Sequence, residues 1–171
     1  MTKDILETPE FFFFWKGWPN QWTMRDFVLD GVQYNCCEQY MMSRKAIFSG
    51  DTKINEQIMA ETRPWMHKKL GRQVSNFDQA QWDIVKLHVV ASGNMARFSQ
   101  HPQDKEKLLA TEEKMIVEAS PFDKVWGIGM GVNHPDILIP EKWQGENLLG
   151  KALMNVRTAL KTGQPMEWMF K

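Results

Sequence analysis

The pattern of apolar residues changes abruptly near residue 37, and this change limits the folds available to the chain. Before it, short aromatic and apolar segments are separated by turn residues, with Asp30 and Gly31 between two short runs. Asp-Gly at this spacing is a strong signal for a tight β-hairpin turn. After it, apolar residues recur at helical spacing. The sequence therefore predicts an α+β fold that is mostly helical, with a small N-terminal β-sheet.

Helical periodicity and turn residues also place the predicted elements along the chain. Because no repeat or low-complexity segment interrupts the pattern, and 171 residues are enough for one hydrophobic core, we expect residues 1–171 to form a single domain. Helices are predicted over 37–50, 51–61, 76–100, 104–111 and 145–163, short strands over 11–15, 21–22 and 25–35, and an extended segment over 115–120.

The charge and hydropathy of the chain bear on whether it binds nucleic acid or a membrane. The chain has 21 basic and 21 acidic residues, so no global field attracts nucleic acid or an anionic membrane. Its apolar runs are far shorter than the roughly 20 residues that span a bilayer. The first ten residues are acidic and lack the hydrophobic centre of a signal peptide. We therefore expect an intracellular, cytoplasmic protein without a membrane partner, while the sequence leaves its oligomeric state open.

The cysteines and histidines give no sign of a metal site. The only cysteines, Cys36 and Cys37, are adjacent, and neighbouring cysteines rarely reach good disulfide geometry without strain. We expect both to be reduced thiols with a packing role. The four histidines show no pairing at ligand spacing. We therefore predict neither a metal nor another cofactor.

One face of the helix predicted after the hairpin carries an acid and an amine. Glu38, Met42 and Lys45 are spaced at i, i+4 and i+7, which places them on one helix face. A solvated charged face is one interpretation. The apolar neighbours of these residues favour a buried helix instead, where charges are paired or functional. In such surroundings a lysine can lose its proton and act as a nucleophile.

A glycine-rich loop with two acids is the second candidate region. Residues 118–131 read EASPFDKVWGIGMG, which neither helical nor strand periodicity explains. Glu118 and Asp123 are turn formers or caps in one interpretation, and Trp126 a core residue. In the other, acids, an aromatic face and glycines that permit close backbone approach form a site for a sugar or nucleotide. Arg72, which follows a glycine, is either an exposed structural residue or a bidentate phosphate ligand.

The order and spacing of these segments resemble the YbiA-like, or NADAR, family of N-glycosidases. The resemblance covers nearly the whole chain, and EQYMM and DKVWGIG are its most specific parts. One departure is Asn20, where the family usually has a serine before the Gln-Trp pair. The matching blocks are FFFFWKGWPNQW, FVLDGVQYNCCEQYMMSRKAIF, LGRQV, the tryptophan of QAQWDIVK, ARFSQHP, LLAT, VEASPFDKVWGIG and GENLLGKALMNVR.

The resemblance implies a YbiA-like fold and an enzyme that cleaves the bond between a ribosyl carbon and an amine nitrogen. Such a reaction builds positive charge on the ribose and needs a proton for the departing nitrogen. Glu38 and Asp123 are the candidate carboxylates, and Lys45 the candidate nucleophile that would form a Schiff base with the opened sugar. We expect Glu38 to line a cavity with Asp123 and Trp126. The substrate contacts that the matching blocks imply are Trp22, Arg72, Trp82, Glu118, Trp126, Gly127 and Asn147.

Two substrate classes are attached to such proteins. They are ribosylamino-pyrimidine phosphates from the early riboflavin pathway, and ADP-ribose joined to guanine in nucleic acid. The balanced net charge disfavours tight, unaided nucleic-acid binding, so the small metabolite ranks first. A non-catalytic sensor that binds NAD or ADP-ribose through the same pocket is the third alternative. A pure binder would not need Glu38 and Lys45 facing each other.

Overall fold

The computed structural model describes residues 4–166, which form two compact units. Of the described residues, one unit comprises 4–20 together with 102–166, the segments nearest the two chain ends, and the other spans Gln21–His101. In chain order the elements are β1 (Ile5–Glu7), β2 (Phe11–Phe14), β3 (Phe27–Leu29), β4 (Val32–Tyr34), α1 (Cys37–Phe48), α2 (Thr52–Ala60), α3 (Pro64–Gly71), α4 (Gln79–Gln100), α5 (Pro102–Leu109), β5 (Met115–Glu118), a 3-10 turn (Pro140–Lys142) and α6 (Leu148–Thr162).

The unit formed by the chain ends is built on a three-stranded sheet. Strand β2 lies in its middle, antiparallel to β1 and parallel to β5. All four of its phenylalanines are buried, as expected for a strand covered on both faces. The parallel register pairs Phe14 with Glu118, so the candidate acid Glu118 lies at the carboxyl end of β5.

Helix α6 packs on β5 through a glycine. A Cβ atom at Gly150 would lie 2.0 Å from the carbonyl oxygen of Ile116, so no other residue lets the helix approach this closely. The helix ends at Gly163, whose φ of 68° is the left-handed conformation common at helix C-termini. Helix α5 also packs against α6. These contacts fix the sheet edge from which the glycine loop leaves.

The second unit places α1 against the other helices. Helices α2, α3 and α4 all contact α1, and the β3–β4 hairpin lies beside α4 and α1. The hairpin turn is at Asp30 and Gly31, with φ of 52° and 76°, as a two-residue turn with both residues left-handed requires. Two glycines permit close helix contacts. A Cβ at Gly71 of α3 would lie 2.0 Å from Sδ of Met42, and one at Gly93 of α4 would lie 2.6 Å from Cδ1 of Tyr40.

The sequence-based fold class is confirmed, with local corrections. Residues 21–22 were expected in a short strand but lie in a turn, and the strand elements form two sheets. Strand β1 and helix α3 were missed. Pro64 follows α2, one of the two positions that its place in the sequence allows, and it occupies the first turn of α3, where the missing N–H group of proline costs nothing. Asp51 caps α2, since its Oδ1 accepts the N–H of Ile54 at 3.0 Å.

Membrane-spanning helices, metal-binding clusters and the state of the cysteines can be examined for residues 4–166. Within this range no helix has the length and apolar character needed to cross a bilayer. The same residues contain no cluster of three or more histidines, cysteines and acids that could hold a metal ion. Cys36 and Cys37 are free and buried. Burial raises the pKa of Cys36 to about 12 and also raises that of Cys37, so neither thiol is activated as a nucleophile.

Candidate active site

Glu38 lies in the first turn of α1, and the residue is only 4% exposed. The amide N–H of Glu38 donates to the main-chain oxygen of Gln21 at 3.0 Å, which ties the segment carrying Trp22 to the start of the helix. Peptide dipoles at a helix N-terminus stabilise a nearby negative charge. The fold therefore buries an acid at the N-terminal end of the helix that carries it.

Lys45 lies two turns further along α1 and is half-buried. Its ammonium nitrogen lies 3.9 Å from the centroid of the Phe77 ring. Burial lowers the pKa of the Lys45 amine, and the positive charge of Arg72 lowers it further, whereas the negative charge of Glu38 raises it. The pKa of Lys45 therefore depends on two charges, that of Glu38 on the same helix face and that of Arg72.

Arg72 is exposed and directly follows α3. The contact of Gly71 with Met42 brings this end of α3 onto the centre of α1, which explains how Arg72 affects Lys45. Lys68 lies one turn before Arg72, and its ammonium nitrogen is 6.0 Å from the centroid of the Trp22 ring. Trp22 is 43% exposed, so much of its ring is open to a ligand.

Trp82 is more enclosed than a substrate platform would be. It is 6% exposed, and its ring meets the rings of Phe48 and Phe77 edge-on, with centroids 6.2 and 6.3 Å away. Because Phe77 lies under the ammonium group of Lys45, Trp82 supports the ring that Lys45 contacts. Its predicted direct contact with substrate stays a prediction.

Asp123 organises the glycine loop in the other unit. Its Oδ1 accepts the backbone N–H groups of Val125 at 3.0 Å and Trp126 at 2.8 Å. Asp123 is therefore a turn former, as one of the two interpretations of the sequence had it, and it forms the turn through Oδ1. Such a turn also fixes the direction of the Trp126 side chain, which is half-buried. A catalytic role for the carboxylate stays a proposal.

Gly127 and Asn147 hold the same loop closed. A Cβ at Gly127 would lie 2.8 Å from the carbonyl oxygen of Glu118, so glycine is required there. The buried Asn147 accepts the N–H of Glu118 at 3.0 Å and donates to the oxygen of Ile116 at 2.9 Å. Asn147 itself is left-handed, with a φ of 54°, and directly precedes α6. Its side chain fixes the backbone at the end of β5.

Main-chain hydrogen bonds complete this closure. The N–H groups of Asn147, Leu148 and Leu149 donate to the oxygens of Gly127, Val125 and Trp126, at 3.2, 3.2 and 3.1 Å. These bonds attach the start of α6 to the loop. The loop is consequently held in one conformation by its own backbone, before any ligand binds.

The structure groups the predicted residues into two clusters. One, in residues 21–101, contains Trp22, Glu38, Lys45, Arg72 and Trp82, and the other contains Glu118, Asp123, Trp126, Gly127 and Asn147. Three residues that support the first cluster were missed from sequence: Gln21, Phe77 and Asn94. Gln21 stands in the Gln-Trp pair that the matching blocks include, so its position was the available signal.

Comparison with known proteins defines the family. The NADAR domain family matches residues 8–161, which is most of the chain. This chain belongs to the NADAR family. An N-glycosidase of Acanthamoeba polyphaga mimivirus is 46% identical over 127 residues, covering 74% of each chain. An N-glycosidase of Nostoc punctiforme is 29% identical over 157 residues, covering 87% of this chain and 92% of the relative. The expectation of an N-glycosidase enzyme is thus confirmed at the level of the NADAR family.

The NADAR fold is also found in a solved structure. The NMR structure of Escherichia coli YbiA matches 97% of this chain and 95% of its own, with a TM-score of 0.74 and 24% identity. This match confirms the expected YbiA-like α+β fold. In chemical terms, this NADAR chain offers a buried carboxylate, an amine with a lowered pKa and an exposed guanidinium in one unit, with an acid and an aromatic ring on a fixed loop in the other.

Proposed function

We propose that the chain hydrolyses the bond between ribose and an amine nitrogen in ribosylamino-pyrimidine phosphates, the intermediates of riboflavin biosynthesis. The observation that carries the proposal is the environment of Lys45. Burial and Arg72 lower the pKa of its amine, and Glu38 lies on the same helix face. A neutral amine is the form that attacks the anomeric carbon of a sugar.

Two routes to hydrolysis use these groups. In the first, the carbon–nitrogen bond lengthens, a carboxylate stabilises the positive charge on the ribose, an acid protonates the departing nitrogen, and water attacks the carbon. In the second, the ribose opens to an imine, the Lys45 amine adds to the anomeric carbon, and the protonated substrate amine leaves. Water then adds to the lysine imine and releases the sugar. Glu38 and Asp123 supply the carboxylates in both routes.

The remaining residues are proposed to bind the substrate. Trp126 stacks on the base, since its loop is held by Asp123 in a fixed turn. Arg72 holds the phosphate, because it is an exposed guanidinium whose charge acts on the Lys45 amine. Trp22 offers an open ring face. Glu118, Gly127 and Asn147 form the loop wall, and Trp82 acts through Phe77 or by direct contact.

A second candidate substrate is ADP-ribose joined to guanine in nucleic acid. The observation in its favour is a pair of cations at the carboxyl end of α3, one in its last turn and one in the residue that follows it. Lys68 and Arg72 are four residues apart and therefore on one helix face, and Lys68 lies near the Trp22 ring. A diphosphate carries two phosphoryl groups, and two neighbouring cations can pair with both of them. The two cations therefore make ADP-ribosyl guanine a second candidate substrate, in addition to the ribosylamino-pyrimidine phosphate.

One experiment distinguishes these functions. The purified chain is incubated separately with a ribosylamino-pyrimidine phosphate and with an oligonucleotide that carries ADP-ribosyl guanine, and products are followed by mass spectrometry. We expect release of ribose phosphate from the metabolite, and no release by the Glu38→Gln variant. Release of ADP-ribose alone would establish the second candidate. Binding of NAD or ADP-ribose without any turnover would establish a sensor and contradict both enzyme proposals.

A further inference from the structure

A buried amide on α4 holds the residue before Glu38. Asn94 is fully buried. Its Oδ1 accepts a hydrogen bond from Sγ of Cys37 at 3.7 Å, and its Nδ2 donates to the oxygen of Val90 at 2.8 Å. The same Nδ2 donates to Oε1 of Gln21 at 2.7 Å. Asn94 therefore connects α4 with the first residue of α1 and with the segment that carries Trp22.

Gln21 continues this connection to Glu38 itself. The first N–H groups of a helix have no partner within the helix, and they are usually satisfied by a capping side chain. The capping residue of α1, Cys36, makes no such side-chain bond. Instead the main-chain oxygen of Gln21 accepts the N–H of Glu38 at 3.0 Å. The position of the Glu38 backbone thus depends on where Gln21 is held.

The residue after Glu38 is fixed as well. Oε1 of Gln39 accepts the N–H of Asn35 at 2.7 Å, and its Nε2 donates to the oxygen of Ile58 at 3.1 Å. With Cys37 held by Asn94 and Gln39 held by these groups, both neighbours of Glu38 are fixed by buried side-chain bonds. The backbone of the candidate acid has little freedom to rotate.

The amide of Gln21 is not the choice that stability alone would favour. Its Nε2 is buried and has no hydrogen-bond partner within residues 4–166. A buried N–H group that lost its water without gaining a partner destabilises the fold. A methionine at position 21 beside a leucine at position 94 would fill a similar space without an unpaired amide group. We therefore infer that the Gln21 amide does more than fill space. Its side-chain hydrogen bond is the one that its Oε1 accepts from Asn94.

We propose that Gln21 and Asn94 are positioning residues that fix the backbone of Glu38, and with it the point from which its side chain leaves the helix, during N-glycoside hydrolysis. This inference rests on the proposed catalytic role of Glu38. Neither residue contacts substrate in this scheme. Catalytic groups must be held close to the productive geometry, and a displacement of about 1 Å costs about 100-fold in rate.

The test uses Gln21→Met, Asn94→Leu and the double variant in the full chain. Each single change leaves a buried polar partner unpaired, so both singles lower the melting temperature, whereas the double variant removes both partners and regains part of it. We expect kcat to fall about 10-fold to 100-fold in all three, with KM unchanged. Recovery of kcat together with stability in the double variant would show a merely structural role and overturn the proposal.

Asn55→Leu is the matched control. It breaks another hydrogen bond to α1, from Oγ of Ser43 to Oδ1 of Asn55 at 2.7 Å, away from the first turn. We expect it to lower the melting temperature while kcat stays within about threefold of the wild type. An equal fall of kcat in Asn55→Leu would mean that any loosening of α1 has this effect, and it would contradict a specific role for Gln21 and Asn94.

Hydrogen exchange separates this inference from the proposed function. The amide of Glu38 is expected to exchange faster in all three variants, because its acceptor, the Gln21 oxygen, is no longer held. This result does not depend on turnover. If exchange is faster but Glu38→Gln retains full activity, the catalytic role of Glu38 fails. If Glu38→Gln is inactive and the Glu38 amide stays protected in Asn94→Leu, the positioning role fails.

Discussion

The ammonium nitrogen of Lys45 lies 3.9 Å from the centroid of the Phe77 ring. An aromatic face attracts a cation, while burial and the charge of Arg72 lower the pKa of this amine. The ring favours the charged form of the Lys45 amine, while the lowered pKa makes its neutral form more accessible than in a free lysine. Access to both forms is what a residue needs if it is to bind an anionic substrate and then attack it as an amine.

Covalent participation of Lys45 is directly testable. We expect borohydride to trap an imine between Lys45 and the opened ribose during turnover, which adds the mass of the sugar to the protein. Lys45→Arg keeps the charge but cannot form the imine, so it should lose at least about 100-fold in kcat. Normal turnover by Lys45→Arg, together with an unchanged wild-type mass after borohydride, would refute the covalent route.

Removal of the Arg72 charge is expected to shift the pH dependence of the reaction. Arg72 lowers the pKa of Lys45, so in Arg72→Gln that pKa should rise toward its ordinary range. The neutral amine then becomes abundant only at higher pH, and the rising limb of the kcat profile moves upward in pH. Lys69→Gln, an exposed cation on the same helix, is the control. Equal profiles for Arg72→Gln and Lys69→Gln would contradict the coupling.

Two substitutions at Asp123 separate its structural role from its chemical role. Asp123→Asn keeps an oxygen that accepts the N–H groups of Val125 and Trp126, so stability should stay near that of the wild type. Asp123→Ala loses both bonds and should be less stable by about 1–2 kcal/mol. We expect kcat to fall about 100-fold to 10,000-fold in Asp123→Asn. A folded, fully active Asp123→Asn would make this carboxylate purely structural.

Stability should also fall on acidification because of His67. This histidine is fully buried, and burial lowers the pKa of its ring, an effect opposed by the charge of Glu61. The folded-state pKa is therefore below the unfolded value of about 6.5. The contribution of the neutral ring to stability is complete above that value and is lost as the pH falls through the lower folded pKa.

Melting temperatures at pH 7 and pH 5 check this prediction. We expect the decrease between the two pH values to be smaller in His67→Gln than in the wild type, because glutamine does not titrate. His88→Gln, at an exposed position, is the matched control and should behave like the wild type. An identical decrease in all three proteins would mean that other groups cause the acid sensitivity.

Sequence reasoning succeeded where a local pattern determines the structure. The Asp30 and Gly31 turn is fixed by residues that tolerate a left-handed backbone, and the spacing of Glu38 and Lys45 placed both on one helix face. Burial of Glu38 also followed from its apolar neighbours. These features depend on contacts between residues that are close in sequence.

Features that depend on distant contacts were not predicted. Phe77 lies 32 residues after Lys45, and the bond between Asn94 and Gln21 spans 73 residues, so no local pattern marks either one. Asp123 shows a related limit. The sequence suggested both a turn former and a catalytic acid, and only the positions of the Val125 and Trp126 N–H groups established the first role.

The central strand of the three-stranded sheet has consequences for how the protein is made. Phe11 of β2 pairs with Met115 of β5, about 100 residues later in the chain. On a ribosome, β2 must therefore wait for β5 until about two thirds of the chain has been synthesised, and its four phenylalanines lack the cover of that strand in the meantime. Residues 21–101, whose helices contact one another, can fold in that interval. A nascent chain stalled before residue 115 would consequently carry an aromatic strand that holdase chaperones recognise and that aggregates if it is left unprotected.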